Sequence, residues 1–385
     1  MSRTNPVSPA RRTSPVGPTG PVLLAVGPNP SVDRVWTIPG FEAGRAYRVG
    51  RVWTAAGGKG CNVARVAADL GLRVVATGLA AGSAGDFIVR DLEGRGVVPA
   101  FFRLPTGETR TCPTIVDPAS GRVTEIREPG PAVGPAEAAG FEALLERLLE
   151  EGPFLPTLHS SSGTAARPLV ATFSGSLPPG LPEDFYAGSI RHAARRRVPC
   201  VLDASGRALA LGIRAGPWAV KVNREELTGV RDHLPPAEPG PPDGLPSPQT
   251  LVGLLTRVVR AGVTFAVVTM GRDGLLACDG RTVWRGELPG DLEVVQPVGS
   301  GDAATAALGV GLARLLGEGA LTTAKWPDLG FQELPAERKA DLVRAMVAAA
   351  AANAVTEGIG TFPREVFESA HRRVRVSAET LPSRN

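Results

Sequence analysis

The residues with the clearest capacity for chemistry form a short glycine-rich segment, Gly299-Ser300-Gly301-Asp302, which is followed by a run of small residues. Two glycines so close together permit backbone angles that are closed to other residues and let a ligand approach the main chain. If a helix begins here, its first amides form an anion site and its dipole favours an ionised Asp302. Such a site suits phosphoryl transfer, in which the carboxylate takes a proton from the attacking hydroxyl.

Two other interpretations fit the same segment. Gly299 to Ala304 matches the loose dinucleotide-binding fingerprint, which would indicate an oxidoreductase. That fingerprint requires a strand before it and an acidic residue about 20 positions later at the end of a second strand. Here Pro297 interrupts the lead-in, and Glu318 lies between two glycines. The plainer alternative is that Asp302 caps a core helix, which is a common structural device.

A second glycine loop, Gly57-Gly58-Lys59-Gly60-Cys61-Asn62, also precedes apolar residues at helical spacing. It is not a nucleotide-binding P-loop, because a glycine follows the lysine where Ser or Thr is required. Close backbone approach at Gly57 and Gly58, with Lys59 and Asn62 as hydrogen-bond donors, predicts a site for a small molecule. The alternative is a solvated lysine and an asparagine that starts a helix.

Further polar residues lie beside predicted strands. Asp33 comes shortly after the apolar strand 22–26, at the sheet edge where a carboxylate can accept two sugar hydroxyls, or it belongs to an Asx turn. Arg110 begins a short strand, where it can pair with a phosphate or simply be exposed. Asn223 and Glu226 follow a later strand with the spacing of a capping box, and the same residues can orient Mg²⁺-bound water and phosphate oxygens.

The composition is that of an ordinary globular protein, with 385 residues, 43% hydrophobic residues, 21% charged residues and a net charge of +4. The small net charge does not indicate a nucleic-acid partner. The four cysteines form no C-x-x-C pair, so we expect reduced thiols, no zinc site and a cytoplasmic location. Hydrolase and zinc-protease motifs are absent, and no apolar run in the sequence is long enough to cross a membrane.

Predicted strands and helices alternate along most of the chain, which indicates an α/β fold with a largely parallel sheet. A run of short antiparallel strands interrupts the alternation, with a hairpin turn at 118–121. We therefore expect a small accessory sheet from about 34–54 and about 98–127. Such a sheet over an active site is a natural lid, and its free edges favour a homodimer.

The two ends of the chain are expected to lie outside the main domain, and three internal stretches are expected to be insertions on its surface. Residues 1–20, rich in proline and arginine, predict a disordered tail. One domain is predicted over 21–372, followed by a C-terminal tail at 373–385. Surface insertions are predicted where the pattern is proline-rich or atypical, at about 153–168, 234–248 and 325–334.

Six short motifs follow one another at workable spacing between about Val22 and Pro363. They are Asn29-Pro30-Ser31-Val32-Asp33, Gly57-Gly58-Lys59-Gly60-Cys61-Asn62-Val63-Ala64, Thr109-Arg110, Ser174-Gly175-Ser176-Leu177-Pro178-Pro179-Gly180, Lys221-Val222-Asn223-Arg224-Glu225-Glu226-Leu227 and Val298-Gly299-Ser300-Gly301-Asp302. Together they resemble the PfkB (ribokinase-like) carbohydrate kinases, and within them the branch of 1-phosphofructokinase and tagatose-6-phosphate kinase. Ser300 and Ala303 stand where that family more often has Ala and Ser.

The resemblance implies a three-layer α/β/α sandwich with a β-sheet lid, ATP as phosphoryl donor and Mg²⁺ as metal. It implies Asp302 as the catalytic base, and the backbone of Gly299, Ser300 and Gly301 as the anion hole. It assigns the sugar phosphate to residues of the Gly57–Asn62 loop and of the predicted lid and its surroundings: Asp33, Gly57, Gly58, Lys59, Asn62 and Arg110. It assigns the nucleotide to residues after later strands: Lys221, Asn223, Glu226, Gly271 and Gly274, with Glu226 also reaching the metal through water.

The function expected on this resemblance is phosphorylation of a ketohexose phosphate, with fructose 1-phosphate converted to fructose 1,6-bisphosphate. Tagatose 6-phosphate and fructose 6-phosphate are the alternative acceptors. Two alternatives of another kind stay open from the residues: a sugar-phosphate sensor without turnover, and a dinucleotide-binding oxidoreductase.

Overall fold

The structure is a computed structural model that describes residues 20–150, 168–236 and 248–382. Its strands are β1 (Val22–Val26), β2 (Ser31–Thr37), β3 (Val52–Gly57), β4 (Arg73–Thr77), β5 (Leu79–Ala80), β6 (Val98–Pro99), β7 (Phe102–Arg103), β8 (Thr111–Asp117), β9 (Arg122–Glu125), β10 (Leu169–Ser174), β11 (Cys200–Asp203), β12 (Ala219–Asn223), β13 (Phe265–Thr269), β14 (Leu275–Cys278), β15 (Thr282–Glu287) and β16 (Arg375–Thr380). Its α-helices are α1 (Lys59–Asp69), α2 (Gly82–Gly94), α3 (Pro135–Glu150), α4 (Phe185–Arg195), α5 (Gly206–Arg214), α6 (Arg224–Gly229), α7 (Pro248–Arg260), α8 (Ser300–Gly317), α9 (Ala336–Ala354) and α10 (Arg364–Arg373).

A twisted sheet of ten strands runs through the described part of the chain in the order β16-β15-β14-β13-β12-β11-β10-β1-β4-β6. The strands from β6 to β13 pair in parallel, and β14, β15 and β16 add an antiparallel edge. Parallel strands are covered on both faces by their crossover helices, which explains the continuous apolar runs in β1 and β13.

Alternate residues of each central strand enter two separate apolar clusters. In β1, Leu23 and Ala25 face the cluster that contains α1, α2, α8, α9 and α10, whereas Leu24 and Val26 face the cluster that contains α3 to α7. Side chains of a strand point alternately to opposite faces, so the sheet is the middle layer between two helical layers. The predicted three-layer α/β/α sandwich is confirmed.

A separate sheet of four strands stands apart from the main sheet in the order β3-β2-β8-β9. We call this sheet the lid. The predicted antiparallel pairing holds for β2 with β3 and for β8 with β9, but it is wrong for β2 with β8, which pair in parallel. A long excursion of the chain separates β2 from β8, and such a crossover permits parallel pairing where a hairpin does not.

Part of the predicted lid belongs elsewhere. The expectation that residues from about 98 join the lid is wrong for β6 and β7, because β6 pairs with β4 in the main sheet and β7 pairs with β5. The face of the lid packs on the body through Val35 and Val116, which join an apolar cluster with Ile359 and Val298. The lid therefore rests against the segment that leads into α8.

Two further stretches differ from expectation. Residues 375–380, which the sequence places in a C-terminal tail, form β16 along the open edge of β15. Its side chains are mostly exposed, so no apolar pattern reveals it. The stretch 325–334 is not a purely surface segment, since Phe331 packs edge-on against Trp218 at 5.1 Å between ring centroids. Most of the other predicted insertions, and residues 1–19, lie outside the described residues.

No helix in the described ranges has the length and apolar character needed to cross a bilayer.

The start of α1 lies in close contact with Gly27, the residue that follows β1. A Cβ added to Gly60 would lie 2.5 Å from the Cα of Gly27, which is closer than real atoms approach. We expect Gly60→Ala to lower the free energy of unfolding by about 1–3 kcal/mol, because overpacking forces the backbones apart. Gly188→Ala is the matched control, since Gly188 also lies in a helix but a Cβ there meets nothing within 4 Å. That control should be neutral or stabilising by up to about 1 kcal/mol. Urea unfolding of both variants measures the difference, and equal effects would contradict the close contact.

Candidate active site

The glycine segment singled out in the sequence is the start of helix α8. Gly299 is the N-cap in a left-handed conformation with φ of 83°. A Cβ there would lie 2.8 Å from Cγ2 of Ile359 and 3.0 Å from the amide nitrogen of Gly360, so only glycine fits. Residues 288–299, which lead into the helix, contain no strand. The strand that a dinucleotide-binding fingerprint requires at this point is therefore missing, which contradicts the oxidoreductase alternative.

Asp302 lies in the first turn of α8 with only 7% of its surface exposed. Its Oδ2 accepts a hydrogen bond of 2.7 Å from Nδ2 of Asn62, which lies in the first turns of α1. The two glycine loops therefore meet, and their helices bring one residue each to the same point. Burial raises the pKa of Asp302 to about 6, and the neighbouring charge of Asp203 adds to the rise. Lys59, Lys221 and the Asn62 hydrogen bond act in the opposite direction.

Asp203 is the centre of a buried ionic cluster that sequence reasoning missed. It ends β11, is fully buried, and lies between two lysines, with Lys59 Nζ 2.7 Å from Oδ1 and Lys221 Nζ 2.6 Å from Oδ2. The hydroxyl of Thr305, one turn along α8 from Asp302, donates to Oδ2 at 2.7 Å. Burial alone would raise the pKa of Asp203, but the charges of Lys221 and Lys59 outweigh it and lower the pKa to about 2. Asp203 thus stays ionised while Asp302 is the carboxylate that titrates.

The two lysines reach from this cluster to the rest of the site. Lys59 also lies 3.1 Å from Oε1 of Glu226, and Lys221 donates to the carbonyl oxygen of Gly301 at 3.2 Å. Burial by itself would lower the pKa of Lys59, but the carboxylates of Asp203 and Glu226 raise it well above its ordinary value. Lys59 therefore stays protonated, and two of its three donors are engaged by carboxylates.

Asn223 and Glu226 form a complete capping box at the start of α6. Asn223 Oδ1 accepts from the amide of Glu226 at 2.8 Å, and Glu226 Oε2 accepts from the amide of Asn223 at 2.9 Å. The capping box that this spacing predicts is therefore formed in the structure. The contact between Glu226 and Lys59 shows that the same carboxylate also belongs to the ionic cluster.

Asp33 lies in β2 at the base of the lid, close to the first glycine loop. A Cβ on Gly57 would overlap its carboxylate, so this position requires glycine. Ser31 Oγ donates to Asp33 Oδ1 at 2.6 Å, and the amide of Gly58 also bonds to the carboxylate. Burial raises the pKa of Asp33 above its ordinary value, although these hydrogen bonds and the nearby arginines oppose the rise. Asp33 and Asp302 thus both contact the segment where α1 begins, Asp33 through the Gly58 amide and Asp302 through the Asn62 side chain.

Arg110 is held by main-chain oxygens between the lid and the body. Its Nη2 donates to the carbonyl of Asn29 at 2.8 Å, its Nε to that of Pro30 at 3.4 Å and its Nη1 to that of Glu128 at 3.3 Å. Its charge is felt at Asp33, whose pKa it lowers. The structure therefore places Arg110 on the Asp33 side of the site.

Gly271 and Gly274 flank the short turn between β13 and β14. The register of β12 and β13 sets Asn223 beside Thr269, so this turn lies at the same edge of the sheet as Asn223. Gly274 has a structural reason of its own, because its φ is 78° and a Cβ would overlap the carbonyl oxygen of Gly286. Around Gly271, with φ of 61°, a Cβ would meet nothing within 4 Å. The turn presents open backbone at Gly271.

Asn353 in α9 braces the start of α8 and was also missed from the sequence. Its Nδ2 donates to the carbonyl of Val298 at 2.8 Å and to Ser300 Oγ at 3.1 Å, and its Oδ1 accepts from the amide of Gly360 at 2.8 Å. Nothing in an alanine-rich helix distinguishes this residue. Asp203 had a usable signal, because it ends a parallel strand at the edge where ligands bind.

Replacing each buried carboxylate by its amide is expected to change the stability of the protein in opposite directions. The folded-state pKa of Asp302 is raised from 3.8 to about 6, so its contribution to stability is present below pH 3.8 and is lost as the pH rises through 6. At pH well above 6 we expect Asp302→Asn to raise the free energy of unfolding by about 1–3 kcal/mol, with less gain near pH 4.

Asp203→Asn is the matched comparison. It should lower the free energy of unfolding by about 3–5 kcal/mol, because it leaves two buried lysines without their partner. Thermal melts of both variants at two pH values measure the effects. A loss of stability in Asp302→Asn at high pH would contradict the raised pKa of Asp302.

Comparison with known proteins agrees with the fold described above. Phosphofructokinase-2 from Escherichia coli, in complex with substrates and products, is similar with a TM-score of 0.71 at 24% identity, over 92% of this chain and 98% of that chain. A possible 1-phosphofructokinase from Thermotoga maritima is similar with a TM-score of 0.71 at 22% identity, over 94% of this chain and 100% of that one. At these identities the structures establish the fold. The family model described as pfkB family carbohydrate kinase matches residues 30–361, and the chain therefore belongs to that family of phosphotransferases.

Proposed function

We propose that the protein transfers a phosphoryl group from ATP to a hydroxyl of a ketohexose phosphate, with fructose 1-phosphate as acceptor and fructose 1,6-bisphosphate as product. The observation that carries this proposal is the environment of Asp302. Its carboxylate is buried at a helix start, has one oxygen held by Asn62, and has a pKa of about 6. A base is most effective when its pKa lies near the working pH, where it is ionised and can still hold a proton.

The residues then divide the work of the reaction. Asp33 and Asn62 hold the sugar, whose attacking hydroxyl points at Asp302. As the oxygen attacks phosphorus, its O–H bond breaks and the proton passes to Asp302, while the bond from phosphorus to the leaving diphosphate oxygen breaks. Stabilisation of the negative charge on the transferring group is assigned to the amides of residues 299–301 at the start of α8. The Ser300 amide also donates to the Pro297 carbonyl at 3.2 Å.

Lys221, Asn223, Glu226, Gly271 and Gly274 are proposed to hold the nucleotide. Gly271 supports this, since its open backbone lies at the same sheet edge as Asn223. Lys221 connects that region to the helix start, because its Nζ contacts both Asp203 and the carbonyl of Gly301. An ammonium group there offers positive charge to donor phosphates.

The residues present fit Mg²⁺ bound through water. Both Glu226 oxygens already accept hydrogen bonds, from Lys59 and from the Asn223 amide, so a direct metal bond would displace one of them. Within the described residues there is no group of three or more His, Cys, Asp or Glu side chains suited to a metal. Mg²⁺ commonly keeps several waters and takes few protein ligands, and it would supply charge neutralisation on the donor phosphates.

The phosphate that the acceptor already carries is assigned first to Arg110. Arg110 lies on the Asp33 side of the site and donates to three main-chain carbonyls. Within the described ranges no carboxylate forms an ion pair with it. Lys59 is also a candidate, but two of its donors bind Asp203 and Glu226. A planar guanidinium can donate two parallel hydrogen bonds to a phosphate group.

The competing functions make separable predictions. A sugar-phosphate sensor would bind its ligand without turnover, and the intact Asp302 and its polar neighbours argue against that.

The homodimer and the cytoplasmic location expected from the sequence stay predictions. Val52 on the edge strand β3 and Ile126 beside the edge strand β9 are exposed, which supports pairing of lids.

The role of Asp302 is tested by Asp302→Asn. We expect kcat to fall by about 10²- to 10⁴-fold, because the general base is lost, while KM for either substrate changes little. Release of ADP with saturating fructose 1-phosphate measures the rate. Glu318→Gln, an exposed change at the other end of α8, is the control and should retain full activity. Near-normal kcat in Asp302→Asn would remove it from the mechanism.

The acceptor assignment is tested by a panel of sugar phosphates and by Arg110→Met. We expect fructose 1-phosphate to have the highest kcat/KM, and Arg110→Met to raise its KM by about 10- to 100-fold through loss of a charge-assisted contact. Unphosphorylated fructose should be affected little. Arg127→Met, which removes an exposed arginine paired with Glu125 in the lid, is the matched control. A higher kcat/KM for tagatose 6-phosphate or fructose 6-phosphate would replace the assigned acceptor.

A further inference from the structure

We propose that Arg65, which no part of the mechanism above uses, is a positioning residue for phosphoryl transfer: it orients the side-chain amide of Asn62 so that Nδ2 faces Asp302. This inference rests on the proposed role of Asp302 as base. It adds to that proposal a residue that touches neither the sugar nor the nucleotide.

Arg65 is a guanidinium inside the protein. It lies in α1, one turn after Asn62, and is only 1% exposed. Burial lowers its pKa from the ordinary value, yet an arginine stays charged in a protein. Its Nη2 donates to Asn62 Oδ1 at 2.6 Å and to the carbonyl of Ile359 at 2.7 Å, and within the described residues Nε and Nη1 have no hydrogen-bond partner. A hydrophobic residue would fill this place at lower cost.

The contact to Asn62 decides which way its amide points. A guanidinium has donors and no acceptor, so the group of Asn62 that faces Arg65 must be the oxygen. The NH₂ group then faces the opposite way, where it donates to Asp302 Oδ2 at 2.7 Å. With the amide reversed, its oxygen would meet a carboxylate and its NH₂ would meet a guanidinium, which are both repulsive. Arg65 therefore excludes the reversed amide, and Oδ1 of Asp302 remains for the substrate proton.

We call the series Arg65–Asn62–Asp302 the relay. The other charged groups near Arg65 and near Asp302 do not orient the Asn62 amide. Asp302 is influenced by charges on three neighbouring elements, namely Lys59, Asp203 and Lys221. Arg65 is influenced by Arg95, which directly follows α2, by Asp91 in α2, by Asp33 in β2 and by Cys61 in α1. Arg95 Nε lies 3.4 Å from Asp91 Oδ2, and the same oxygen accepts a hydrogen bond from the Ala56 amide. Among the contacts of the described residues, Arg65 is the positively charged group that hydrogen-bonds to Asn62.

Arg65 also connects the relay to the lid and to the turn after α9. Its guanidinium lies over the ring of Trp53 in β3, 5.4 Å from the centroid. The Ile359 carbonyl that it holds precedes Gly360, and a Cβ on Gly360 would lie 2.8 Å from Cβ of Asn62. Asn62 is thus confined from two sides, by this turn and by Arg65.

The test is a double-mutant cycle of Arg65→Met and Asn62→Ala. The readouts are kcat and the pH midpoint of the acid limb in the dependence of kcat on pH. We expect Arg65→Met to lower kcat by about 10- to 100-fold, as a small misplacement of a reacting group does. It should also move the acid limb upward by about half a unit to one unit, because Asp302 loses a donor that favours its ionised form. Asn62→Ala should cause the same upward shift.

The decisive result is the double variant. If Arg65 acts through Asn62, then Arg65→Met adds no further shift of the acid limb in the Asn62→Ala background. Additive shifts, or an unmoved limb in Arg65→Met, would overturn the proposal. Arg65→Lys keeps the charge but not the fork of donors, and it should show a smaller shift that likewise vanishes in the Asn62→Ala background. It carries the same test if the methionine variant does not fold.

Two controls separate structural damage and failure of the proposed function. Arg314→Met removes an arginine that donates to the Leu70 carbonyl at the other end of α1, and it should leave the acid limb in place. If Asp302→Asn retains kcat, the proposed function fails and the relay fails with it. If Asp302→Asn is inactive but the cycle is additive, the inference about Arg65 fails alone.

Discussion

The candidate site depends on the pairing of one buried carboxylate, Asp203, with two ammonium groups. Lys59 and Lys221 approach its two oxygens, so Asp203 stays ionised in the interior, where a lone charge would be very costly. Asp302 is buried nearby, accepts a hydrogen bond from Asn62 and forms no ion pair with a lysine among the contacts of the described residues. Burial and, to a smaller extent, the charge of Asp203 therefore raise its pKa, although the two lysines act in the opposite direction. Two carboxylates with nearby positions thus acquire different pKa values, and this difference separates Asp203 from Asp302, the proposed base.

Glycines at close contacts allow these groups to meet. Gly60 lets α1 lie against the end of β1, Gly57 leaves room for the Asp33 carboxylate, and Gly299 turns the chain into α8 against the segment that contains Ile359 and Gly360. A side chain at any of these positions would separate elements that the site needs in contact. The same segment supports the lid through Ile359. The glycine loops are therefore both parts of the site and the reason that two helices can converge on it.

The sandwich and most of the candidate residues could be predicted because their signals are local. Alternating apolar runs predict the central strands, and glycine pairs before helical patterns predict both loops. The parts that were missed depend on distant partners. The parallel pairing of β2 with β8, the strand β16 and the brace at Asn353 are decided by segments far apart in the chain. Arg65 in an amphipathic helix looks like a solvated residue, and its contact with the Ile359 carbonyl, far along the chain, shows that it is buried instead. Asp203 could have been found, since it ends a parallel strand.

The central claim is that the ionic cluster leaves Asp302 as the carboxylate that accepts a proton near neutral pH. The most direct measurement is a carbon NMR titration of the side-chain carboxyls in the substrate-free protein, with the Asp302 resonance identified by its absence in Asp302→Asn. The account predicts a midpoint near 6, raised by burial and by the charge of Asp203. A midpoint at or below the ordinary value of 3.8 would contradict it.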